Sequence, residues 1–383
     1  MTSKSLVQTK VPGAMAALGL IGLAATYLAA GPQRFWANWI LWLFLAVAVG
    51  LGSLFIVALN HLVGAVWSVP LRRVPERLSG LVVWSAPVVL AGLLALPVLY
   101  PWSGPEAAKT PMVAGKLVWL NVPFFSLRVL ACIGLWAISY RILVHGSLRQ
   151  DESRDPLFKV RAKRFSAIFM VIFGLTITIA AFDWISSLEP AWYSDIFGVY
   201  LFAGTFLSGL AATTLAVLHL QKDGRLEGVG PDHLYNLGGF MFAFTIFWGY
   251  IGFAQYLLMW YGNMPEEIFW YKQRIEGPWL AVALLLGAVR FLVPFFALIS
   301  REAKCDPKRL GWVALWILGG QFLDLYWMIF PVLGKRPLIG WPELSFAFFF
   351  LGLGWIWAKR AMSLGEDVPV GDPFLQAGYD FHL

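Results

Sequence analysis

The chain has 383 residues, of which 59% are hydrophobic, 16% are aromatic and only 13% are charged, with a formal net charge of +7. A soluble domain has about 45–50% apolar and about 25% charged residues, so this composition excludes an ordinary soluble enzyme. The ten-residue alternating segments of a membrane β-barrel are absent from the sequence. The composition therefore predicts an all-α integral membrane protein.

Ten apolar runs are long enough for the roughly 20 residues that cross a bilayer as a helix. In chain order they are 13-30, 36-67, 79-100, 117-144, 160-183, 196-220, 234-260, 279-300, 310-330 and 343-361. The sequence MTSKSLVQTKVPG leads into the first run without an A-x-A cleavage pattern, so we expect a start-transfer helix rather than a cleaved signal peptide.

The basic residues predict the orientation of these helices. The N-terminus, the even-numbered connections and the C-terminal flank carry 20 of the 29 Lys and Arg residues. Cytoplasmic segments are enriched in Lys and Arg, so both termini are predicted to be cytoplasmic. Orientation and attraction to anionic lipids account for the net positive charge, and no nucleic-acid partner is expected.

An internal repeat organises the middle eight helices. Placing 44-62 over 202-220 without gaps superposes His61 on His219, and Arg128 falls over Arg290 after a shift of four residues. These matches predict two four-helix units, helices 2-5 and helices 6-9, with helices 1 and 10 outside them. The corresponding domains are 1-34, 35-190, 191-340 and 341-383.

Several polar residues lie inside apolar runs, where burial is costly. Arg128 and Arg290 are expected near the middle of helices 4 and 8, and Asp183 near the outer end of helix 5. Gln321 and Asp324 share one face of helix 9 because they are three residues apart. A buried guanidinium needs a partner, so Arg290 is predicted to pair with Asp324. The pair could be structural, or Asp324 could titrate in a cavity open to protons.

The histidines and cysteines are few. His61 and His219 are predicted near the cytoplasmic ends of helices 2 and 6, where they could be satisfied interfacial side chains, proton-uptake groups or the axial ligands of one haem. Cys132 and Cys305 lie at different depths without a CxxC motif, so no disulfide or Fe–S cluster is expected. No zinc, Walker A or dinucleotide motif is present in the sequence.

Two segments carry a family resemblance, FDWISSLEPAWYSDIFGVYLFAGTF at 182-206 and YNLGGFMFAFTIFWGYIGFAQYLLMWYGNMPEE at 235-267. They resemble the ActF subunit of alternative complex III, a quinol:cytochrome c oxidoreductase, and more distantly the NrfD-type polysulfide-reductase membrane subunits. The pattern D-W-x-x-S-L-x-P-x-W-Y-S carries the likeness. Family members often have His after that proline, whereas Ala191 stands here, so an outer-face proton role for an imidazole at this position is in doubt.

The resemblance implies a cofactor-free membrane subunit in a bacterial inner membrane. Quinol, Fe–S clusters and haem c would lie on partner subunits: a sister NrfD-like ActC subunit and periplasmic Fe–S and multihaem cytochrome c subunits. Small membrane subunits, phospholipids and a terminal oxidase are further implied partners. The family's polar proton paths map here onto Asp183, Arg290 and Asp324. The residues themselves add Arg128, His61 and His219 to the candidates.

Two alternatives stay open from the sequence. A quinone-binding anchor of the NrfD type would need an aromatic cavity with one or two polar groups, and the many aromatic residues supply numerous candidates. A secondary transporter is the other alternative. Many transporters contain inverted repeats, whereas units of four helices each would point the same way.

Overall fold

The computed structural model describes residues 3–155 and 157–383, and their regular structure is helical, without a strand. Nine helices in these ranges are long and apolar enough to cross a membrane. They are α1 (Lys10–Ala30), α2 (Pro32–Val63), α3 (Arg73–Leu99), α4 (Val122–Ser153), α5 (Leu157–Leu188), α6 (Phe197–Lys222), α7 (Pro231–Gly262), α8 (Trp279–Ala297) and α9 (Pro307–Leu333). The chain is an all-α, multi-pass membrane protein, as its composition predicts.

A tenth long helix, α10 (Trp341–Met362), has 22 residues and falls outside these nine. It packs closely along α1, because a Cβ atom on Gly19 would lie 2.3 Å from the backbone nitrogen of Phe349. At its start, Glu343 accepts hydrogen bonds from Arg34 at 2.6 and 2.9 Å. At its end, the carbonyl of Met362 accepts one from Arg225 at 2.7 Å.

Shorter helices occupy the connections and the C-terminal tail. They are Val66–Leu71, Pro101–Ser103, Pro105–Lys109, Pro111–Ala114, Pro265–Ile275, Arg301–Cys305 and Leu375–Tyr379. Helix α3 is itself a series of short α and 3₁₀ pieces, and it begins at Arg73 rather than at the predicted 79. Pro87 and Pro97 each remove a backbone donor within this segment, which explains its irregularity.

Helices α2 and α6 form the centre of the bundle. Helix α2 packs against α5, α6 and α9, and α6 packs against α5, α7 and α9. The two central helices touch through glycines, since a Cβ atom on Gly52 would lie 2.2 Å from the carbonyl oxygen of Thr205. On the other side, a Cβ atom on Gly209 would lie 2.4 Å from the backbone of Gly52. Glycines thus allow the backbones of α2 and α6 to approach closely.

The connections separate onto two faces of the bundle. On one face, here the tail face, residues 363–383 contact the connections that follow α2 and α6 and the start of α5. Asp372 lies 2.7 Å from Arg72 and 2.8 Å from Lys159, and Asp367 lies 2.5 Å from Arg225. The opposite face, here the cap face, carries residues 186–196 and the helix Pro265–Ile275. The tail face holds the connections that the basic residues predict to be cytoplasmic.

Candidate functional site: two buried ion pairs

The first buried ion pair joins α4 to α5. Arg128 donates from Nε to Asp183 Oδ2 at 2.6 Å and from Nη2 to Asp183 Oδ1 at 3.0 Å. The Trp119 side chain donates to the same carboxylate at 2.9 Å, and its backbone carbonyl accepts from Arg128 Nη1 at 2.9 Å. Asp183 is fully buried. This bidentate arrangement satisfies both charges inside the bundle.

The position of Arg128 differs from the expectation. It lies in the second turn of α4, because the helix begins at Val122 and not within the preceding residues. Asn121 caps that start by accepting a hydrogen bond from Phe124 N at 3.0 Å. The guanidinium lies 4.1 Å from the Trp119 ring centre and 4.4 Å from that of Phe124. Arg128 is therefore near the cap-face end of its helix, level with Asp183.

The second pair joins α8 to α9 and confirms a sequence prediction. Arg290 Nε lies 3.6 Å from Asp324 Oδ2, and both side chains are fully buried. Arg290 sits near the middle of α8, as expected. Its Nη2 donates to Gln321 Oε1 and its Nη1 donates to the carbonyl of Ile317 at 3.3 Å. Gln321 and Asp324, one turn apart on α9, thus share one guanidinium.

Two aromatic side chains complete the surroundings of Asp324. Tyr200 on α6 donates its hydroxyl to Asp324 Oδ1 at 2.5 Å, and Trp248 on α7 donates Nε1 to Oδ2 at 3.0 Å. The Arg290 guanidinium lies 5.1 Å from the Trp248 ring centre. The carboxylate therefore has two hydrogen-bond donors and a nearby cation.

Sequence reasoning missed the aromatic donors of both sites. Trp119, Tyr200 and Trp248 are far from their carboxylates in the chain, and 20 tryptophans and 12 tyrosines give no means of choosing among them. The capping signal of Asn121 followed by Pro123 was available, however. It places the start of α4 close to Arg128, and that depth matches the depth predicted for Asp183.

The two pairs share one design. Each joins an arginine on one helix to an aspartate on the next helix of the chain. One member of each pair lies in a π-helical turn: Asp183 in Ala181–Ile185 and Arg290 in Ala288–Leu292. Such turns are frequent at functional sites in helices. The two ion pairs differ in their access to solvent. Trp119, which covers the first pair, is 43% exposed, whereas Tyr200 and Trp248 at the second pair are buried.

The histidines lie apart from both pairs. His61 is buried, its ring packs edge-on against Phe158, and its Nε2 has no hydrogen-bond partner among the described residues. The His219 side chain is 66% exposed and lies 3.8 Å from Asp223. Tyr200 and His219 are 19 residues apart on α6, which corresponds to about 28 Å of helix. The four candidate proton-path residues therefore do not form a single site.

The cysteines are both free; Cys132 is buried and Cys305 is partly exposed. Within residues 3–155 and 157–383, no group of three or more His, Cys, Asp or Glu side chains is arranged to hold a metal ion. The two buried pairs consist of carboxylates, guanidinium groups and aromatic hydrogen-bond donors.

Residues 182-194, which carry the sequence pattern, form a packed cap next to the Arg128–Asp183 pair. Trp192 stacks on Trp270 with ring centres 4.4 Å apart, and Glu189 lies 2.5 Å from Arg274. Arg274 also donates to the carbonyl of Met328 on α9 at 2.9 Å. Burial lowers the pKa of Arg274 to about 10, and Glu189 opposes that shift. The cap ties the segment after α5 to α9 and to the connection that follows α7.

Comparison with protein-family models finds no match for this chain, and comparison with curated proteins finds none either.

Proposed function

We propose that this chain is a non-redox membrane subunit of a quinol:cytochrome c oxidoreductase of the alternative complex III type. The observation that supports the proposal most is the ordered cap built by the residues that carry the resemblance. In that pattern Asp183 binds Arg128 and Trp192 stacks on Trp270, and Glu189, at a variable position of the pattern, binds Arg274. Asp183 and Trp192, two of the fixed positions of the pattern, thus each have a specific structural partner.

The proposal includes ten membrane spans. Helix α10 begins beside Arg34 on the cap face and ends at Met362, whose carbonyl accepts from Arg225 on the tail face. An unbroken helix of 22 residues is about 33 Å long, which matches the hydrocarbon core of a bilayer. An even number of spans leaves both termini on one side, and we assign that side to the cytoplasm of a bacterial inner membrane.

Two four-helix units, α2–α5 and α6–α9, are also part of the proposal. Within the units, α2 packs against α5, and α6 packs against α9. Between the units, α2 packs against α9, and α6 packs against α5. The Arg–Asp pairs α4–α5 and α8–α9 follow the same correspondence. This pattern is typical of two related units facing each other across the contact between α2 and α6.

The role we propose for this subunit is to provide scaffold and sites for protons, while partner subunits hold the redox groups. Asp324 is the better candidate for proton binding, because its ion pair with Arg290 is a single contact of 3.6 Å and not a bidentate one. The Arg128–Asp183 pair has bidentate geometry, which favours a permanent ion pair and a structural role. Quinol, Fe–S clusters and haem c belong to the proposed partners.

A deletion and complementation experiment tests the proposal. Membranes from cells that lack this chain should lose quinol-dependent reduction of cytochrome c, and the wild-type gene should restore it. The Asp324→Asn variant, which is nearly isosteric, should restore quinol oxidation while lowering the number of protons translocated per electron in sealed vesicles. Unchanged quinol:cytochrome c activity in the deletion strain would reject the assignment. Unchanged proton stoichiometry in the variant would leave Asp324 with a structural role.

A further inference from the structure

A groove of about 530 Å³ opens on the cap face where four helices end. Its floor is the turn between α1 and α2, with Gly31, Gln33 and Arg34. Its walls are the apolar ends of α3 and α9 and the following connection, with Pro97, Leu333 and Leu338. Because helix ends mark the edge of the hydrocarbon layer, this groove lies at the level of lipid headgroups.

Two cations on the connection that borders this groove set it apart on the cap face. The odd-numbered connections carry only seven Lys and Arg residues. Four have a partner in the chain: Arg34 binds Glu343, Arg274 binds Glu189, Lys109 binds Glu106 and Lys116 donates to the carbonyl of Pro190. Of the remaining three, Lys335 and Arg336 are exposed. In the sequence they lie between Leu333 and Leu338, which both line the groove.

Neither Lys335 nor Arg336 has an ionic or hydrogen-bonding partner among the described residues. Glu343 is the acid beside the groove, and Arg34 already neutralises it through two hydrogen bonds. The groove region thus has an uncompensated charge of about +2 at ordinary pH. The first turn of the 32-residue α2 also begins on its floor, and backbone N–H groups at a helix start favour an anion.

We infer that this groove binds the headgroup of an anionic phospholipid. The phosphate would lie between Lys335, Arg336 and the start of α2, and the first acyl carbons would lie along Pro97, Val98 and Leu333. The volume is within the range of about 300–1,000 Å³ for pockets that hold small molecules, which suits a headgroup. The charge complementarity selects an anionic lipid over a zwitterionic one.

Lipid titration of the purified full-length chain in detergent tests this inference. Phosphatidylglycerol should bind with higher affinity than phosphatidylcholine when bound lipids are counted by native mass spectrometry. The Lys335→Gln/Arg336→Gln double variant should bind phosphatidylglycerol roughly 30-fold more weakly, since each basic residue near a membrane contributes about 1 kcal/mol. The Val98→Trp variant, which fills the groove without changing its charge, should also lose the preference for phosphatidylglycerol over phosphatidylcholine.

Lys272→Gln is the matched control, because Lys272 is the third cap-face cation with neither an ionic nor a hydrogen-bonding side-chain partner among the described residues, and its connection contributes no residue to the groove. It should bind both lipids like the wild type. Phosphatidylglycerol affinity that is unchanged in the double variant, or lowered equally in Lys272→Gln, would overturn the inference. Displacement of the lipid by millimolar inorganic phosphate would also overturn it, by showing a site for free phosphate. Melting temperatures identify any variant that fails to fold.

Discussion

Gly204 on α6 leaves room for the second ion pair. A Cβ atom at this position would lie 2.7 Å from Gln321 Oε1 and 3.0 Å from Arg290 Nη2. Both atoms belong to one hydrogen bond in a fully buried site, so a shift of either atom alone would disturb that bond. A small residue is therefore required by the polar contacts of the site as well as by helix packing.

We predict that Gly204→Ala destabilises the protein by about 1–3 kcal/mol, as overpacking of a buried site does. The thermal midpoint in detergent measures this change. Gly134→Ala on α4 is the control, since a Cβ atom at Gly134 meets nothing within 4 Å. Equal midpoints for the two variants would show that the Gln321–Arg290 contact adapts freely.

The 3.6 Å contact between Arg290 and Asp324 predicts strong coupling. Removing either partner as Arg290→Leu or Asp324→Leu leaves a buried charge uncompensated, at a cost of about 3–5 kcal/mol. The double variant should assemble better than either single variant. Yield of folded protein across this double-mutant cycle measures the coupling. Strictly additive losses would contradict a direct pair.

At the scale of whole helices, the apolar runs predicted most boundaries to within a few residues, because burial in a bilayer imposes length and hydrophobicity together. The π-helical turns at Ala181–Ile185 and Ala288–Leu292 were not predictable, since no residue type encodes them. The pairing of Arg290 with Asp324 was predictable because consecutive helices are neighbours. Arg128 was predicted near the middle of α4, away from the depth predicted for Asp183. Its pairing with Asp183 on the next helix was therefore not predicted.

The C-terminal tail is an element that apolar periodicity could not place, because its contacts are ionic and distant in sequence. Asp367 lies 3.1 Å from Arg77 on α3 and 2.5 Å from Arg225 after α6. The His233 ring on α7 lies 3.0 Å from the carbonyl of Gly378. The tail thus fastens the connections of both proposed units to one another on the tail face.

The pH dependence of this attachment follows from Asp367. Hydrogen bonding from Arg225, and then from Arg77, lowers the pKa of Asp367 below its ordinary value. A carboxylate with a lowered pKa stabilises the fold above its unfolded pKa of about 3.9 and loses that contribution as the pH falls further. Protection of the tail from hydrogen exchange should therefore be equal at pH 7 and pH 5, and weaker below about pH 4.

The Asp367→Asn variant should show weakened tail protection already at pH 7, because the two ionic contacts are lost. Glu366→Gln is the control, since this neighbouring side chain is exposed and has no ionic partner among the described residues. Tail protection that is the same in both variants would show that the ionic contacts of Asp367 do not hold the tail.

At the scale of the whole molecule, the two faces predict opposite accessibility. In a Cys305→Ser background, a cysteine at Glu266 should react with a membrane-impermeant maleimide on intact cells. A cysteine at Glu302 should react only after the membrane is permeabilised. Both native side chains are exposed, so neither substitution disturbs the core. Labelling of both positions from the same side would contradict the arrangement of faces, and reversed labelling would contradict the orientation.

The most direct test of the central claim is affinity purification from native membranes with a tag at the N-terminus, since the C-terminal tail is packed. The proposal predicts that the chain is isolated with subunits containing haem c and Fe–S clusters. That preparation should reduce cytochrome c with quinol, and the chain separated from its partners should show no Soret band. Isolation of the chain without haem-bearing partners, or stoichiometric haem on the chain itself, would contradict the proposal.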